Sequence, residues 1–176
     1  MKGAFLFFGF SFLGLFFTLL PAQDFRVQAL PFRSGEKIPR KYTCQGVDLS
    51  PALSWEGVPE MTKGFVLIVD DPDAPSGVWV HWLLYNIPSS ARGLPEGFSK
   101  EPLGKDGTAQ GENGFGSLGY RGPCPPPGSP HRYRFHLYAL KEDLKLQSGL
   151  KKEELLEKIR GHILGESETV GIYQRI

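Results

Sequence analysis

The sequence lacks an excess of charge of either sign. Its 176 residues hold 20 Lys and Arg against 19 Asp and Glu, a formal net charge of +1 at pH 7, with no block of like charge. Proteins that bind nucleic acid usually carry a basic stripe or patch, because the phosphate backbone selects for one. The sequence therefore argues against nucleic acid as the main partner.

Cysteine is also scarce, and the two cysteines, Cys44 and Cys124, lie far apart in the chain. They are too few for a structural zinc site, which takes four protein ligands. An even number in an exported chain indicates a disulfide. That bond would close a loop of roughly 80 residues and, in the chain-entropy model, stabilise the fold by about 4 kcal/mol. The alternative is two free thiols packed as small hydrophobic side chains.

Several catalytic signatures are missing. The nearest match to the nucleophile elbow G-x-S-x-G is F-G-S-L-G at residues 115–119, which has the wrong first residue. Neither H-E-x-x-H nor a P-loop occurs. Iron and zinc can be bound by carboxylate and imidazole side chains such as those of Asp71, Asp73, His81 and His131. These residues show none of the short sequence spacings that are typical of such sites. We therefore expect no enzyme and no metal or other cofactor, with acid–base or phosphoester chemistry by these side chains as the alternative.

The N-terminal segment differs in composition from the rest of the chain. Lys2 precedes an uncharged, Phe-rich run at 3–20, and the small residue Ala22 follows it. This order is typical of a secretory signal peptide. We predict a signal peptide at 1–22, a single domain at 23–176 and export to the periplasm or the extracellular space. The alternative is a membrane anchor formed by the apolar run.

Hydrophobic patterning predicts a mainly β fold. Phe65–Val69 and Val78–Ile87 are nearly continuous apolar runs, as expected of strands buried on both faces. In His131–Leu140 apolar and polar residues alternate, which predicts a strand with one face in the core. Shorter strands are predicted at Phe25–Leu30, Lys41–Cys44, Leu53–Trp55 and Glu168–Gln174.

One amphipathic helix is predicted, at Lys151–Leu164, and Gly165 is expected to end it. Its apolar stripe would hold Leu155, Leu156, Ile159 and Ile163. The chain also contains 15 Pro and 22 Gly, which point to many turns. Together these patterns predict an antiparallel β-sandwich with one or two peripheral helices.

Residues 88–130 are dense in Gly and Pro and show little periodicity. A segment of this length without regular structure usually has a function or wraps the domain. An alternative reading makes it the contact surface of a protein-interaction module that inhibits a protease or a kinase.

A loop rich in carboxylates, D-D-P-D-A-P at 70–75, follows the first buried strand. Its prolines restrict the backbone and so hold the acids in place. His81 lies further along, within the most apolar predicted strand. Pairing with a carboxylate of the loop would set the tautomer of His81 and raise its pKa, giving a cationic donor for an anion. The alternatives are an acidic turn that caps a strand and a buried structural histidine.

A second loop, rich in Gly and Pro, precedes the alternating strand. Residues 120–133 read Y-R-G-P-C-P-P-P-G-S-P-H-R-Y. The loop delivers His131 and Tyr133 to the core-facing side of the strand, and its glycines allow a ligand to approach the main chain. A polyproline turn between strands is the alternative.

Three features of the sequence, taken in this order, resemble the two signature regions of the phosphatidylethanolamine-binding protein family. They are D-P-D-A-P at 71–75, the pair His81-Trp82 and the G-P-x-P-P…H-R-Y block at 122–133. The resemblance covers about residues 25–175. It implies an antiparallel β-sandwich of Greek-key type with a small surface pocket that binds phosphate-like anions, including phospholipid headgroups.

The pocket residues that the resemblance implies come from both signature regions. They are Asp71, Asp73, Ala74, Pro75, His81, Gly122, Pro123, Pro125, Pro126, His131 and Tyr133. Tyr120 and Ser50 are weaker candidates. The implied partner is a small anion or a phospholipid headgroup, with a protein target as the alternative. The oligomeric state is left open, a homodimer included.

Further phrases resemble the bacterial and archaeal Raf kinase inhibitor-like branch of this family. They are K-Y-T-C at 41–44, L-S-P at 49–51 and L-Y-A-L at 137–140. Cys124 stands where animal members carry glycine. We expect a bond from it to Cys44 to clamp the pocket wall to the sandwich.

Overall fold

Two antiparallel β-sheets and one α-helix organise residues 24–175, which are the residues that the computed structural model describes. The predicted signal peptide lies outside them. The elements are β1 Arg26–Ala29, β2 Leu53–Glu56, β3 Gly64–Asp71, β4 Trp79–Pro88, β5 Gly93–Leu94, β6 Ala109–Gln110, β7 His131–Leu140, α1 Lys152–Ile159 and β8 Ile163–Tyr173. The smaller sheet has the order β1-β2-β5 and the larger one β6-β4-β3-β7-β8. The predicted β-sandwich with a peripheral helix is confirmed.

The larger sheet is covered on both faces. One core cluster joins it to the smaller sheet, with the rings of Trp55 and Phe65 in contact at 5.4 Å between centroids. A second cluster joins its other face to α1 through residues such as Ile68 and Leu155. All eight residues of β3 are buried as a result. The continuous apolar run in this strand therefore reflects its position in the middle of three layers.

The alternation predicted for β7 is confirmed. Tyr133 and Phe135 are buried on the face toward the smaller sheet, while Arg132 is exposed and Arg134 is partly buried. Residues 134–140 of this strand pair with residues 64–70 of β3 in antiparallel order, so its first residues lie near the last residues of β3. That juxtaposition brings the two signature regions together.

The strand predicted at Lys41–Cys44 is wrong, because a short 3-10 helix occupies Arg40–Tyr42. The amide of Thr43 donates to the carbonyl of Arg40, and Gly46 passes against that same carbonyl. The chain folds back on itself here. An extended strand at this place would lose both contacts.

The predicted helix is too long. It ends at Ile159, and Ile163 already belongs to β8, where it pairs with Leu140. Leu155 and Ile159 are buried as predicted, but Ile163 is 37% exposed and Gly165 lies within the strand. Pairing with β7 stabilises the backbone of this segment more than extension of an eight-residue helix would. Whether the segment forms a strand or a helix is therefore decided by tertiary contacts.

Residues 88–130 wrap from one sheet to the other. Leu94 pairs with Leu53 in the smaller sheet, and Ala109 pairs with Tyr85 in the larger one. The segment therefore belongs to the sandwich and presents its remaining loops to the pocket described below. Among residues 24–175, no helix is long and apolar enough to cross a membrane.

Candidate functional site

A pocket of about 220 Å³ lies at one end of the larger sheet, where β3 ends and where β4 and β7 begin. Its walls come from the carboxylate-rich loop, from the Gly/Pro-rich loop and from a turn of the wrapping segment. The lining residues are Asp71, Ala74, Pro75, Ser76, Trp79, His81, Phe115, Cys124, Pro125, Pro126, His131 and Tyr133.

The structure brings most of the predicted residues together in this pocket. Those that line it are Asp71, Ala74, Pro75, His81, Pro125, Pro126, His131 and Tyr133. Asp73, Gly122 and Pro123 lie outside the lining, and each has another partner.

Asp73 holds the two loops together. Its carboxylate accepts three hydrogen bonds from Arg132, one from the backbone amide at 2.9 Å and two from the guanidinium at 2.9 and 2.7 Å. The hydrogen bonds from the Arg132 side chain lower the pKa of Asp73 from 3.8 to about 2. The contact ties the carboxylate-rich loop to the first residues of β7.

Gly122 and Pro123 support the pocket wall from behind. The Gly122 amide donates to the carboxylate of Asp48 at 2.6 Å, and a Cβ at Gly122 would lie 2.2 Å from the carbonyl oxygen of Tyr42. The Pro123 carbonyl accepts from the amide of Cys44 at 3.1 Å. The glycine is required by this close approach of two backbones.

The two weaker candidates also have structural partners. Tyr120 is buried and its hydroxyl donates to the carbonyl of Tyr42 at 2.8 Å. Ser50 is buried too, and its hydroxyl oxygen accepts from the amide of Phe98 at 2.9 Å. Neither lines the pocket.

The carboxylate of the loop pairs with His131, whereas His81 was the predicted partner. Asp71 and His131 are both buried, with Oδ2 and Nδ1 2.8 Å apart. The second oxygen of Asp71 accepts from the amide of Asp73 at 2.8 Å. A carboxylate with both oxygens engaged in this way orients the imidazole, so that Nε2 of His131 is the ring nitrogen left for the pocket.

His81 has a neutral partner. Its Nδ1 lies 2.6 Å from the carbonyl oxygen of Arg121, and a carbonyl only accepts hydrogen bonds, so Nδ1 carries the hydrogen. Burial lowers the pKa of His81, and the opposing effects of the Arg121 carbonyl and of the nearby carboxylates do not compensate. The expectation of a raised pKa is wrong, because the ring lies in the core and its direct partner is uncharged.

Tyr133 stands against His81 at the bottom of the pocket. The two rings meet edge to face, with centroids 5.2 Å apart. The Tyr133 side chain is buried, and its hydroxyl makes no hydrogen bond of normal geometry among the described residues, although Asp71 lies close enough to act on it. Burial, followed by the charge of Asp71, raises the pKa of Tyr133, so the hydroxyl keeps its hydrogen at neutral pH. Buried hydroxyls without partners are uncommon and call for an explanation.

Three lining residues were not predicted, namely Ser76, Trp79 and Phe115, whereas Cys124 lies in the wall where its disulfide was expected. Phe115 contacts His81 at 5.5 Å and Trp79 at 5.6 Å between ring centroids. It is 41% exposed, at the tip of a turn between Gly114 and Gly116. A bulky aromatic residue between glycines in a loop is a sequence signal that could have indicated a binding surface.

The two cysteines form a disulfide, as predicted, with Cα atoms 5.4 Å apart. Cys124 lies in the pocket lining, and Cys44 follows the 3-10 helix at the base of the sandwich. The bond therefore ties the Gly/Pro-rich wall to the body of the domain.

Asp70, the first acid of the loop, points to the opposite face of the sheet. It is fully buried and pairs with Arg134 at 2.9 Å and with Lys152 at 2.5 Å. These pairs connect β3, β7 and α1 beneath the second core cluster. Within residues 24–175, no three or more His, Cys, Asp or Glu side chains meet so as to hold a metal ion.

A larger cavity, of about 720 Å³, lies at the far end of β4. Its floor includes Asn86, whose amide exchanges hydrogen bonds with the backbone of Leu146 at 2.8 and 3.0 Å. The side-chain amide of Asn86 is therefore satisfied within the protein. The smaller pocket is the better candidate, because it contains two histidines and the unpartnered hydroxyl.

Comparison with known proteins agrees with this geometry. The family model described as phosphatidylethanolamine-binding protein matches residues 28–174. A UPF0098 protein of Methanothermobacter thermautotrophicus is 51% identical over 144 residues, which are 82% of this chain and 95% of that protein. A UPF0098 protein of Aquifex aeolicus is 50% identical over 146 residues, 82% of this chain and 85% of that protein.

Two solved structures share the fold. One is described as a phosphatidylethanolamine-binding protein homologue from Chlamydia trachomatis, with 40% identity, a TM-score of 0.79, and coverage of 87% of this chain and 99% of that one. The other is E. coli YbcL, described as a member of the mammalian family, with 33% identity, a TM-score of 0.80, and coverage of 88% and 100%. The chain therefore belongs to the phosphatidylethanolamine-binding protein family.

Proposed function

We propose that this protein binds a small phosphate-bearing or otherwise anionic ligand, of the phospholipid-headgroup type, in the pocket between β3, β4 and β7. The observation that carries the proposal is the buried Tyr133 hydroxyl without a hydrogen-bond partner. An unsatisfied buried hydroxyl costs about 1–3 kcal/mol. A ligand oxygen accepting from this group would recover that free energy.

The remaining lining supports an oxyanion with a small organic group. The Nε2 edges of His81 and His131 are available beside the hydroxyl, and Asp71 is already engaged by His131 and by a backbone amide. The other walls of the pocket are formed mainly by apolar or aromatic residues, such as Pro75 and Phe115. A pocket with few polar groups at the bottom and apolar walls is typical of small-ligand sites.

The geometry favours binding over catalysis. No hydroxyl or thiol nucleophile is hydrogen-bonded to His131 or His81 among the described contacts. Nucleophilic catalysis needs such a pair. We further propose that the protein is exported, since a disulfide persists most readily in an oxidising compartment, as the pair Cys44–Cys124 would require.

The test is an NMR titration of the purified protein with inorganic phosphate and with phosphoethanolamine, following the ring signals of His81 and His131. Saturable shifts in both rings are expected. Tyr133→Phe removes only an unpartnered hydroxyl, so it should weaken binding roughly tenfold with little loss of stability. Tyr120→Phe is the matched control, because it breaks a hydrogen bond outside the pocket and should lower stability without weakening binding. Absence of shifts in both rings would reject the proposal.

A further inference from the structure

The two pocket histidines have different protein partners. Nδ1 of His131 faces the carboxylate of Asp71 at 2.8 Å, and since a carboxylate accepts, this nitrogen carries a hydrogen. Nδ1 of His81 faces the carbonyl of Arg121. That contact is satisfied by a neutral ring, whose Nε2 is then an acceptor.

The surroundings of His81 hold it in this neutral form. The ring is 3% exposed and lies edge-on to Phe115 and Tyr133. The charged groups that act on it are the carboxylates of Asp71, Asp48 and Asp70, and burial outweighs their combined effect on its pKa. None of these carboxylates contacts the ring directly among the described hydrogen bonds.

An acceptor at the bottom of an anion pocket is a selective feature. A fully deprotonated oxyanion would place an oxygen lone pair against the lone pair of Nε2 of His81. Neither atom would then have a hydrogen-bond donor, and the affinity for that anion would fall. An oxyanion that retains one hydrogen can donate it to this nitrogen and accept from the hydroxyl of Tyr133 with another oxygen. Sites built to hydrogen-bond a ligand hydroxyl strongly reject analogues that lack it.

We propose, building on the binding function above, that the ligand donates an acidic hydrogen to Nε2 of His81, so that the pocket selects phosphate monoesters in their monoanionic form over oxyanions without a hydrogen. Where the dianion predominates in solution, one proton is taken up from the solvent with each ligand bound. His81 is thus the residue that determines which class of anion is accepted.

Methyl phosphate and methyl sulfate test this directly, because at about pH 5, below the second pKa of the phosphate ester, both carry a charge near −1 and they differ by one hydrogen. Isothermal titration calorimetry should show methyl phosphate binding at least about tenfold more tightly. Above the second pKa of the ester, about 6, its apparent Kd should rise by about tenfold per pH unit. Titrations in two buffers of different ionisation enthalpy should then report uptake of about one proton.

His81→Gln provides the matched variant, since its amide can donate or accept at the same place. The preference for methyl phosphate should collapse and the pH dependence should flatten. Equal affinity of the wild-type protein for the two esters, or an unchanged preference in the variant, would overturn this inference while leaving anion binding intact. Failure of both esters to bind at any pH would instead reject the proposed function.

Discussion

Asp71 and His131, 60 residues apart in the chain, are joined by a buried contact of 2.8 Å between Oδ2 and Nδ1. The pair forms where the last residue of β3 meets the first residue of β7. It gives the pocket an imidazole of fixed orientation. The neighbouring acid, Asp73, instead holds the exposed Arg132, so two carboxylates of one short loop have different tasks.

This division predicts different effects for Asp71→Asn and Asp73→Asn. Asp71→Asn should weaken phosphate binding by roughly tenfold or more and cost about 1–3 kcal/mol of stability, because a buried imidazole loses its charged partner. Asp73→Asn should leave the affinity within about twofold. NMR titration and urea unfolding of both variants would measure this. Equal loss of affinity in the two variants would contradict the assignment of separate tasks.

Asp73 should also contribute to the acid dependence of stability. Its pKa is lowered from 3.8 to about 2 in the folded state, so its contribution is fully present above about pH 4 and is lost as the pH falls toward 2. Urea unfolding from about pH 5 to about pH 2 should therefore show a steeper fall for the wild type than for Asp73→Asn. Parallel curves over this range would show that the pair with Arg132 adds no pH-dependent stability.

The disulfide should be a major source of stability. Replacing Cys44 and Cys124 together by serine reopens a loop with a sequence separation of 80 and should cost about 4 kcal/mol in the chain-entropy model. Phosphate binding should weaken as well, because Cys124 lines the pocket. Denaturant unfolding with and without reductant measures the first effect, and the double variant, which reductant cannot affect, is the control. Thiol titration of the unfolded, unreduced wild type should find no free thiol.

Gly122 should matter for folding rather than for contact with a ligand. Gly122→Ala would place a methyl group 2.2 Å from the carbonyl oxygen of Tyr42, and a clash with backbone should cost roughly 2 kcal/mol or more. Gly161→Ala is the control, since nothing lies within 4 Å of its added carbon. Thermal unfolding of both variants compares them. A fully stable Gly122→Ala protein with lost ligand binding would favour the ligand contact that the family resemblance implied.

Competing backbone contacts account for the errors along the chain. The segment at Lys151–Leu164 carries a helical apolar stripe, but its last residues pair with the edge of β7 and form the start of β8. The segment at Lys41–Cys44 reads as a strand, but it turns against Gly46 as a 3-10 helix. In the first case a strand distant in sequence decides the outcome, whereas in the second a turn formed within a few residues does so.

The sequence by itself determined the strands β3, β4 and β7 and the two loops that supply the pocket, because alternation and continuous apolar runs are properties of the local chain. With two cysteines it allowed a single pairing, and the structure decided that this bond forms. Only the tertiary structure decided that Asp71 pairs with His131, that His81 has a carbonyl partner and that Phe115 closes the wall. Side-chain direction in loops depends on hydrogen bonds and packing across many residues, and no local pattern encodes those contacts.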